Sequence, residues 1–489
     1  MNNFLSRTEI IHVLNGFNPW WSAKPFYVPE FHRLAFHAGR GYLDNKDLRR
    51  AILLSGPRRV GKTTVLQQTA RALINDGHDP RSILYLSLDH PLLKLLSLRE
   101  ILSIYHESTH PEGKPATLLL DEIQYAADWE TEIKLLVDHQ PQYRILSTGS
   151  ASVLHRERLA ESGVGRWITV PVPTLSFYEF ALIRNAPPEN ISPTLRVSDL
   201  FQFKPGDFST LADQMRPLQP LFQRYLLVGG FPETAFQDNI DLCQRLLRED
   251  VVERVLKRDM TALFGVRNIG DLEKLFIYLC LHSGGILPHQ SCAKDLGTTT
   301  ATVANHLTLL EQANLIYRLP PSALGGKKVL KARNKYYLVD AALRNAVLLR
   351  GEEILTHPEE MGAIVETTVL RHLYAYYYRD TPEIVYWRDA VSNREVDIIV
   401  RSPAYVLPFE VKYKENPALE QKSGLGMYCT AENPGRAYLV TKRDVDFGLT
   451  QLKDCDTRFI KIPAYILCYL LGQSERLLWI PSSGNQGIA

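Results

Sequence analysis

The stretch GPRRVGKTT, residues 56–64, sets glycines at 56 and 61 ahead of Lys62, Thr63 and Thr64. It follows the apolar run AILLS and precedes VLQQTARALI, so it reads as strand, tight loop and helix. Glycines let backbone N–H groups curl around an anion, and a helix start adds partial positive charge at the same point. The pattern is GxxxxGK[ST], the loop that cradles the phosphates of ATP. Gly56, Pro57, Arg58, Arg59, Val60, Gly61, Lys62, Thr63 and Thr64 are therefore the candidate nucleotide-binding residues. Lys62 would reach the terminal phosphates, and the Thr63 hydroxyl would hold Mg2+.

A second group lies in ATLLLDEIQ, residues 116–124. Its apolar strand ends in Asp121 and Glu122. Asp121 would join the Mg2+ shell, and Glu122 could orient and deprotonate the attacking water. YRILSTGSAS, residues 143–152, reads as another strand ending in hydroxyls. Thr148 or Ser150 could sense the γ-phosphate, and ordinary turn chemistry accounts for them equally well. Arg156, Arg158 and Arg166 follow. An arginine from a neighbouring subunit can neutralise charge on a transferring phosphoryl group, which would make the chain a homo-oligomer. Arg166, after the Gly-Val-Gly turn, is the preferred candidate, and each of the three also suits a solvated surface.

The third group is REVDIIVRSPAYVLPFEVKYKE, residues 394–415. Side chains alternate along a strand, so Glu395 and Asp397 share a face, as do Glu410 and Lys412. If the two strands pair, all four converge, and Glu366 could approach from the preceding helical stretch. Clustered carboxylates repel unless a cation sits among them. Mg2+ held by Glu366, Asp397 and Glu410, with Lys412 beside it, would meet that need and could activate water. Asp397, Glu410 and Lys412 are the candidate catalytic residues of this site. The alternative is an amphipathic edge hairpin with a wet, charged face.

These groups need elements to position them. At 489 residues the chain exceeds one ordinary core, and about 150 residues per domain suggests three or so. Residues 50–150 alternate continuously apolar runs with helical stretches, as strands buried on both faces of a parallel sheet do. A Pro-rich segment, residues 185–208, reads as an irregular insertion between helices. The block 271–318 reads as helix, helix, turn at Gly297, helix and strand, which is winged-helix spacing. Its third helix offers Thr299, Thr302, Asn305 and His306 but neither Arg nor Lys, which weakly suits base reading. The basic run after it (Lys327, Lys328, Lys331, Arg333, Lys335) could contact phosphates without reading sequence.

Composition adds bounds. Hydrophobic residues at 45% and charged residues at 22% are those of soluble globular chains. A net charge of +2 does not by itself demand a nucleic-acid partner. Six scattered cysteines show no metal-ligand spacing and suit free thiols in a reducing compartment. No signal peptide or bilayer-spanning run is present, so the cytoplasm is expected, with no membrane partner. The terminal SSGNQGIA is expected to be disordered.

Residues 50–260 resemble a family of prokaryotic AAA-type P-loop ATPases, through GPRRVGKTT, LLLDEIQYAADWE, LSTGSAS, LSFYEF (175–180) and VGGFPE (228–233). Members of that family commonly carry a carboxyl-terminal domain similar to restriction endonucleases. Asp397 followed by Glu410-Val-Lys412 looks like the D…(D/E)xK signature of such nucleases. Glu366 resembles that fold's helical glutamate, and Gln421 falls where a supporting polar residue often lies. The expected architecture is a multidomain α/β chain: a parallel-sheet P-loop AAA-type ATPase core (1–175), a helical lid with the Pro-rich insertion (176–268), a winged helix (269–345) and a restriction-endonuclease-like α/β domain (355–480). The expected cofactors are ATP and Mg2+. The expected partner is nucleic acid, DNA rather than RNA, and the alternative is an ATP-gated switch that binds a protein and cuts nothing.

Overall fold

A computed structural model describes residues 6–149, 165–266, 268–322, 333–380, 382–389 and 391–480. Ser150, Arg156, Arg158, Lys327, Lys328, Lys331 and the terminal SSGNQGIA lie outside the described residues. The chain divides into two compact units, residues 1–172 and 173–489.

In the first unit, the apolar runs become parallel strands. They are β1 (Ala51–Ser55), β2 (Ile83–Ser87), β3 (Ala116–Asp121), β4 (Tyr143–Gly149) and β5 (Trp167–Pro171). Their spatial order is β2-β3-β4-β1-β5, with every neighbouring pair parallel. Side chains on both faces are covered by helices, so β1 and β3 are buried along their whole length. Register then does the positioning. Leu54 of β1 stands beside Thr148 of β4, Leu120 of β3 beside Ser147 of β4, and Asp121 beside Ser87 of β2. The loop after β1 and the polar ends of β3 and β4 therefore meet at one edge, where open α/β sheets bind ligands.

The outer edge of β2 is covered by GFNPWW, residues 16–21. The Asn18 amide donates to the Tyr85 carbonyl (2.9 Å) and accepts from the Tyr85 N–H (2.7 Å). Both indole N–H groups, of Trp20 and Trp21, donate to the Ile83 carbonyl. An unpaired strand edge is thus closed by side chains rather than by another strand.

The second unit is built around a mixed six-stranded sheet. Its strands are β8 (Glu383–Arg388), β9 (Glu395–Ser402), β10 (Tyr405–Val411), β11 (Arg436–Thr441), β12 (Gly448–Gln451) and β13 (Arg458–Pro463), in the order β12-β13-β11-β10-β9-β8. Ile398, Val400, Phe409, Tyr438 and Val440 face one layer, which includes helices Pro358–Tyr377 and Ala464–Trp479. Ile399, Ala437, Leu439 and Phe459 face the other, with helix Gly424–Glu432. That helix starts hard against β9: a Cβ on Gly424 would lie 1.8 Å from the Glu395 carbonyl oxygen.

Residues 176–268, expected as a lid, belong to this second unit. The reason is burial: Leu175, Phe177 and Phe180 join the same apolar core as Val369, Tyr469 and Leu470. His372 Nε2 accepts the Phe177 N–H (2.9 Å), and the Tyr225 hydroxyl donates to the Leu175 carbonyl (2.7 Å). The middle block forms helices Ile269–Leu281, His289–Asp295 and Thr300–Gln312, then antiparallel strands β6 (Ile316–Leu319) and β7 (Lys335–Leu338). Thr299 caps the third helix through the Thr302 N–H, as its position suggests. His306 is buried rather than presented outward, while Asn305 is exposed. The Ser322 N–H and the Tyr386 N–H tie the segment after β6 to β8.

Candidate nucleotide site and carboxylate–lysine cluster

The loop Gly56–Gly61 runs from β1 into helix Lys62–Asn75. It packs tightly: a Cβ on Gly56 would stand 2.0 Å from the Val172 carbonyl oxygen, so no larger residue fits there. Lys62 is buried, and its ammonium donates to the Gly56 and Pro57 carbonyls, both at 2.8 Å. Arg33, far away in sequence, donates to the Val60 carbonyl and steadies the loop.

Asp121 gathers three hydroxyls. Thr63 Oγ1 donates to its Oδ2 (2.8 Å), the Tyr85 hydroxyl to the same oxygen (3.0 Å), and Thr148 Oγ1 to Oδ1 (2.5 Å). Burial pushes the Asp121 carboxyl above its ordinary range, opposed by the bond from Thr148. Thr148 Oγ1 also accepts the Glu122 N–H (2.9 Å). That bond helps hold Glu122 in a left-handed backbone, φ 53°, which is uncommon for a residue other than glycine. Gln124 donates to the Glu122 carboxylate. A cavity of about 440 Å3 opens beside Thr63, Asp121 and Glu122 and extends to Asp89, Trp20 and Tyr27.

The residues fit a nucleotide with its divalent ion. Thr63 and Asp121 present hydroxyl and carboxylate oxygens side by side, the donor types Mg2+ takes. Arg166 Nε donates to both carboxylate oxygens of Asp138, each at 2.9 Å, so within its own subunit it is engaged. Sequence reasoning missed Tyr85 and Arg33. Tyr85 stood in an apolar strand run, and nothing in the sequence linked Arg33 to the loop.

In the second unit β9 and β10 do pair, antiparallel, with Phe409 opposite Ile398. Asp397 and Glu410 then sit on adjacent strands, and Asp397 Oδ2 accepts the Val411 N–H (2.8 Å). Lys412 follows β10, with its N–H on the Val440 carbonyl, and its Nζ lies 3.3 Å from Glu410 Oε1. Glu366, on helix Pro358–Tyr377, accepts from the Tyr337 hydroxyl at 2.5 Å. Gln421 is separate from this group and donates to the Lys453 carbonyl.

The cation among these carboxylates is Lys335. Its Nζ lies 3.0 Å from Glu395 Oε1, 3.7 Å from Glu366 Oε1 and 3.8 Å from Asp397 Oδ1. The expectation that Lys335 could reach phosphates is corrected: β7 carries it inward, and only 1% of it is exposed. Burial would pull the ammonium pKa down, but Glu366, Asp397 and Glu395 raise it above its ordinary value. Burial, and the charge of Asp397, push Glu366 up to about 8 and Glu410 up to about 7. Asp397 is raised as well, by burial first. Among the described residues, no three His, Cys, Asp or Glu side chains are grouped so as to hold a metal ion. The expected Mg2+ site of Glu366, Asp397 and Glu410 therefore does not fit in this arrangement, because the Lys335 ammonium already stands among the carboxylates.

Comparison with known proteins agrees on the first unit. Residues 48–181 match a family described as an AAA domain. Residues 219–353 and 361–465 match two domains of unknown function, DUF8612 and DUF4143. An uncharacterized protein of Haemophilus influenzae is 24% identical over 74% of this chain and 82% of its own length. An uncharacterized protein of Methanocaldococcus jannaschii is 26% identical over 68% and 70%. Among solved structures, the RuvB Holliday junction branch migration motor of Thermotoga maritima covers 61% of this chain and 92% of its own at 18% identity, with a TM-score of 0.27. AMPPCP-bound DnaA of Aquifex aeolicus covers 60% and 92% at 19% identity, with a TM-score of 0.24. The matched family and the strand order give the chain an AAA-type P-loop ATPase domain.

Proposed function

We propose that the chain binds and hydrolyses ATP at the edge of the first sheet. The observation that carries this reading is the meeting of Lys62, Thr63, Asp121, Glu122 and Thr148 across three strands brought into register. Loop N–H groups and Lys62 hold the phosphates, and Gly56, Pro57, Arg58, Arg59, Val60, Gly61 and Thr64 shape the cradle. Thr63 and Asp121 would hold Mg2+, which supplies positive charge to the phosphate oxygens. Glu122 takes a proton from the water whose oxygen attacks the γ-phosphorus. The bond to the bridging oxygen breaks, leaving ADP and phosphate. Thr148 fixes Asp121 and the Glu122 backbone. Arg166 of a neighbouring copy would complete the site once released from Asp138.

The nucleotide state would in turn control the carboxyl-terminal domain, acting on or binding nucleic acid. A second reading, an ATP-gated interaction switch with an inert nuclease-like domain, is favoured by Lys335, whose ammonium stands among the carboxylates that would hold a nuclease's metal. The three helices and β6–β7 match winged-helix order, and helix Pro358–Tyr377 followed by β8–β10 matches endonuclease order.

Isothermal titration with ATP tests the first claim. Lys62→Ala should lose nucleotide binding, and Glu122→Gln should keep it while phosphate release falls at least about a hundredfold. Turnover unchanged in both variants refutes the site. Labelled DNA incubated with the chain, ATP and Mg2+ separates the readings of the second unit, since cleavage sensitive to Asp397→Ala is expected only of a nuclease.

A further inference from the structure

The loop between β1 and its helix carries a cation besides Lys62. Arg58 stands in its middle, and the backbone on both sides is fixed. Gly56 is pressed against the Val172 carbonyl on one side, and on the other Arg33 donates to the Val60 carbonyl. Arg59, next along, is held left-handed at φ 63°, which is uncommon for a residue other than glycine. From this fixed stem the half-buried Arg58 side chain reaches Tyr125, its Nη2 lying 3.5 Å from the phenol oxygen.

Tyr125 is placed by the proposed base. It ends the short turn Ile123–Tyr125, which begins at Glu122, and its N–H donates to the Glu122 carbonyl (3.1 Å). The Lys94 ammonium, on the turn Leu93–Leu95 after β2, lies 3.9 Å from the centre of its ring. The ring is thus gripped on its face as well as at its backbone, and its hydroxyl marks one spot. The Arg58 guanidinium therefore lies between the phosphate loop and the turn that carries Glu122. With Glu122 as the base, that is the side from which water meets the γ-phosphorus, and Thr63 and Asp121 mark the divalent ion beside it.

The other cations are differently engaged. Lys62 donates to the Gly56 and Pro57 carbonyls, and Arg166 donates to Asp138. Charge on the γ-phosphoryl oxygens shifts as the bond to the bridging oxygen lengthens, and a guanidinium presents its N–H groups to such oxygens as a rigid fork. We propose that Arg58 is a further catalytic residue of the ATP reaction, a cation set on the γ-phosphoryl group from the side of Glu122, with Tyr125 as its positioning residue. The proposal rests on the reading of this edge as an ATP-hydrolysing site, and it gives that site an arginine from its own loop rather than from a neighbouring copy. Arg58 moves no proton. The water oxygen bonds to phosphorus, its proton goes to Glu122, the bridging oxygen leaves with ADP, and the guanidinium holds the non-bridging oxygens throughout.

ATP turnover of the full chain, together with trapping of ADP and fluoroaluminate as a mimic of the transferring group, tests this. Arg58→Ala should lower kcat at least about a hundredfold and lose the trapped complex, while ADP affinity stays within about threefold of the unaltered chain. Arg58→Lys keeps the charge but not the fork, and guards against collapse of the loop. It should bind ADP normally and turn over at least about tenfold more slowly. Tyr125→Phe removes only the hydroxyl, and should weaken trapping and lower kcat about threefold or more with ADP affinity unmoved. Normal kcat and trapping in both Arg58 variants overturn the proposal and leave the ATP site standing. Loss of ADP binding in Arg58→Lys makes Arg58 a structural part of the cradle, and also overturns it. An unaltered chain that neither binds nor hydrolyses ATP overturns the underlying reading, and the proposal with it.

Discussion

Thr148 shows how much a single hydroxyl can organise. It donates to Asp121 and accepts from the Glu122 N–H, so one side chain fixes both a metal-type carboxylate and the backbone of the proposed base. The sequence left a phosphate sensor and ordinary turn chemistry equally open at this position, and the two bonds support a positioning role. Thr148→Val keeps the shape and removes both bonds. Stability should fall by about 1–2 kcal/mol. ATP turnover should fall about tenfold or more while ATP affinity changes little, because the lost contacts orient the reacting groups rather than hold the phosphates. Single-turnover assays with parallel titration check this, and a variant with normal kcat would free Thr148 from that role. The loop residues and the Asp-Glu pair were legible because their chemistry is local in sequence. Tyr85, Arg33 and Lys335 were not, since each acts on residues brought near only by tertiary packing.

At the level of elements, the parallel strands were readable from their apolar runs, and β9 and β10 from their alternation. The role of GFNPWW was not. In sequence it is an aromatic stretch before any strand, and in the fold it closes the edge of β2. Asn18 is buried and satisfies the N–H and carbonyl of Tyr85 together. Asn18→Ala leaves both backbone groups without partners, at a cost of about 2 kcal/mol. Urea unfolding should register that loss, and hydrogen exchange at Ile83–Ser87 should quicken. A midpoint shift close to zero would mean that the edge is sealed by the tryptophans alone. Because Tyr85 also reaches Asp121, the same variant should weaken ATP turnover more than a surface substitution does.

Across the whole chain, domain limits were the least readable feature. The segment 176–228 carries apolar helices that suit a lid in sequence, yet its aromatic residues complete the core of the second unit. His372 is a test of that core. It is fully buried, accepts from Phe177 and holds the Thr368 carbonyl, and burial together with the charge of Arg371 depresses its pKa well below 6.5. The folded state keeps the ring neutral, whereas the unfolded chain binds a proton near pH 6.5. Stability from this group is therefore complete above about 6.5 and lost as pH falls, by up to about 1.4 kcal/mol per unit. In denaturant midpoints between pH 7.5 and 5, the second unit of the unaltered chain should lose more stability on acidification, or gain less, than that of His372→Gln, because the raised carboxyls of Glu366 and Glu410 act in the opposite direction over the same range in both. An unaltered slope would assign the acid sensitivity to other groups.

The division at Val172 has a practical consequence for anyone cutting the chain. The AAA family match runs to residue 181, but Leu175, Phe177 and Phe180 are core residues of the other unit. A fragment trimmed to the family limit would end in a greasy tail severed from its packing partners, inviting aggregation. Stopping nine residues earlier spares the nucleotide-binding piece that tail, and leaves the remainder with the aromatic ring pairs it needs to fold.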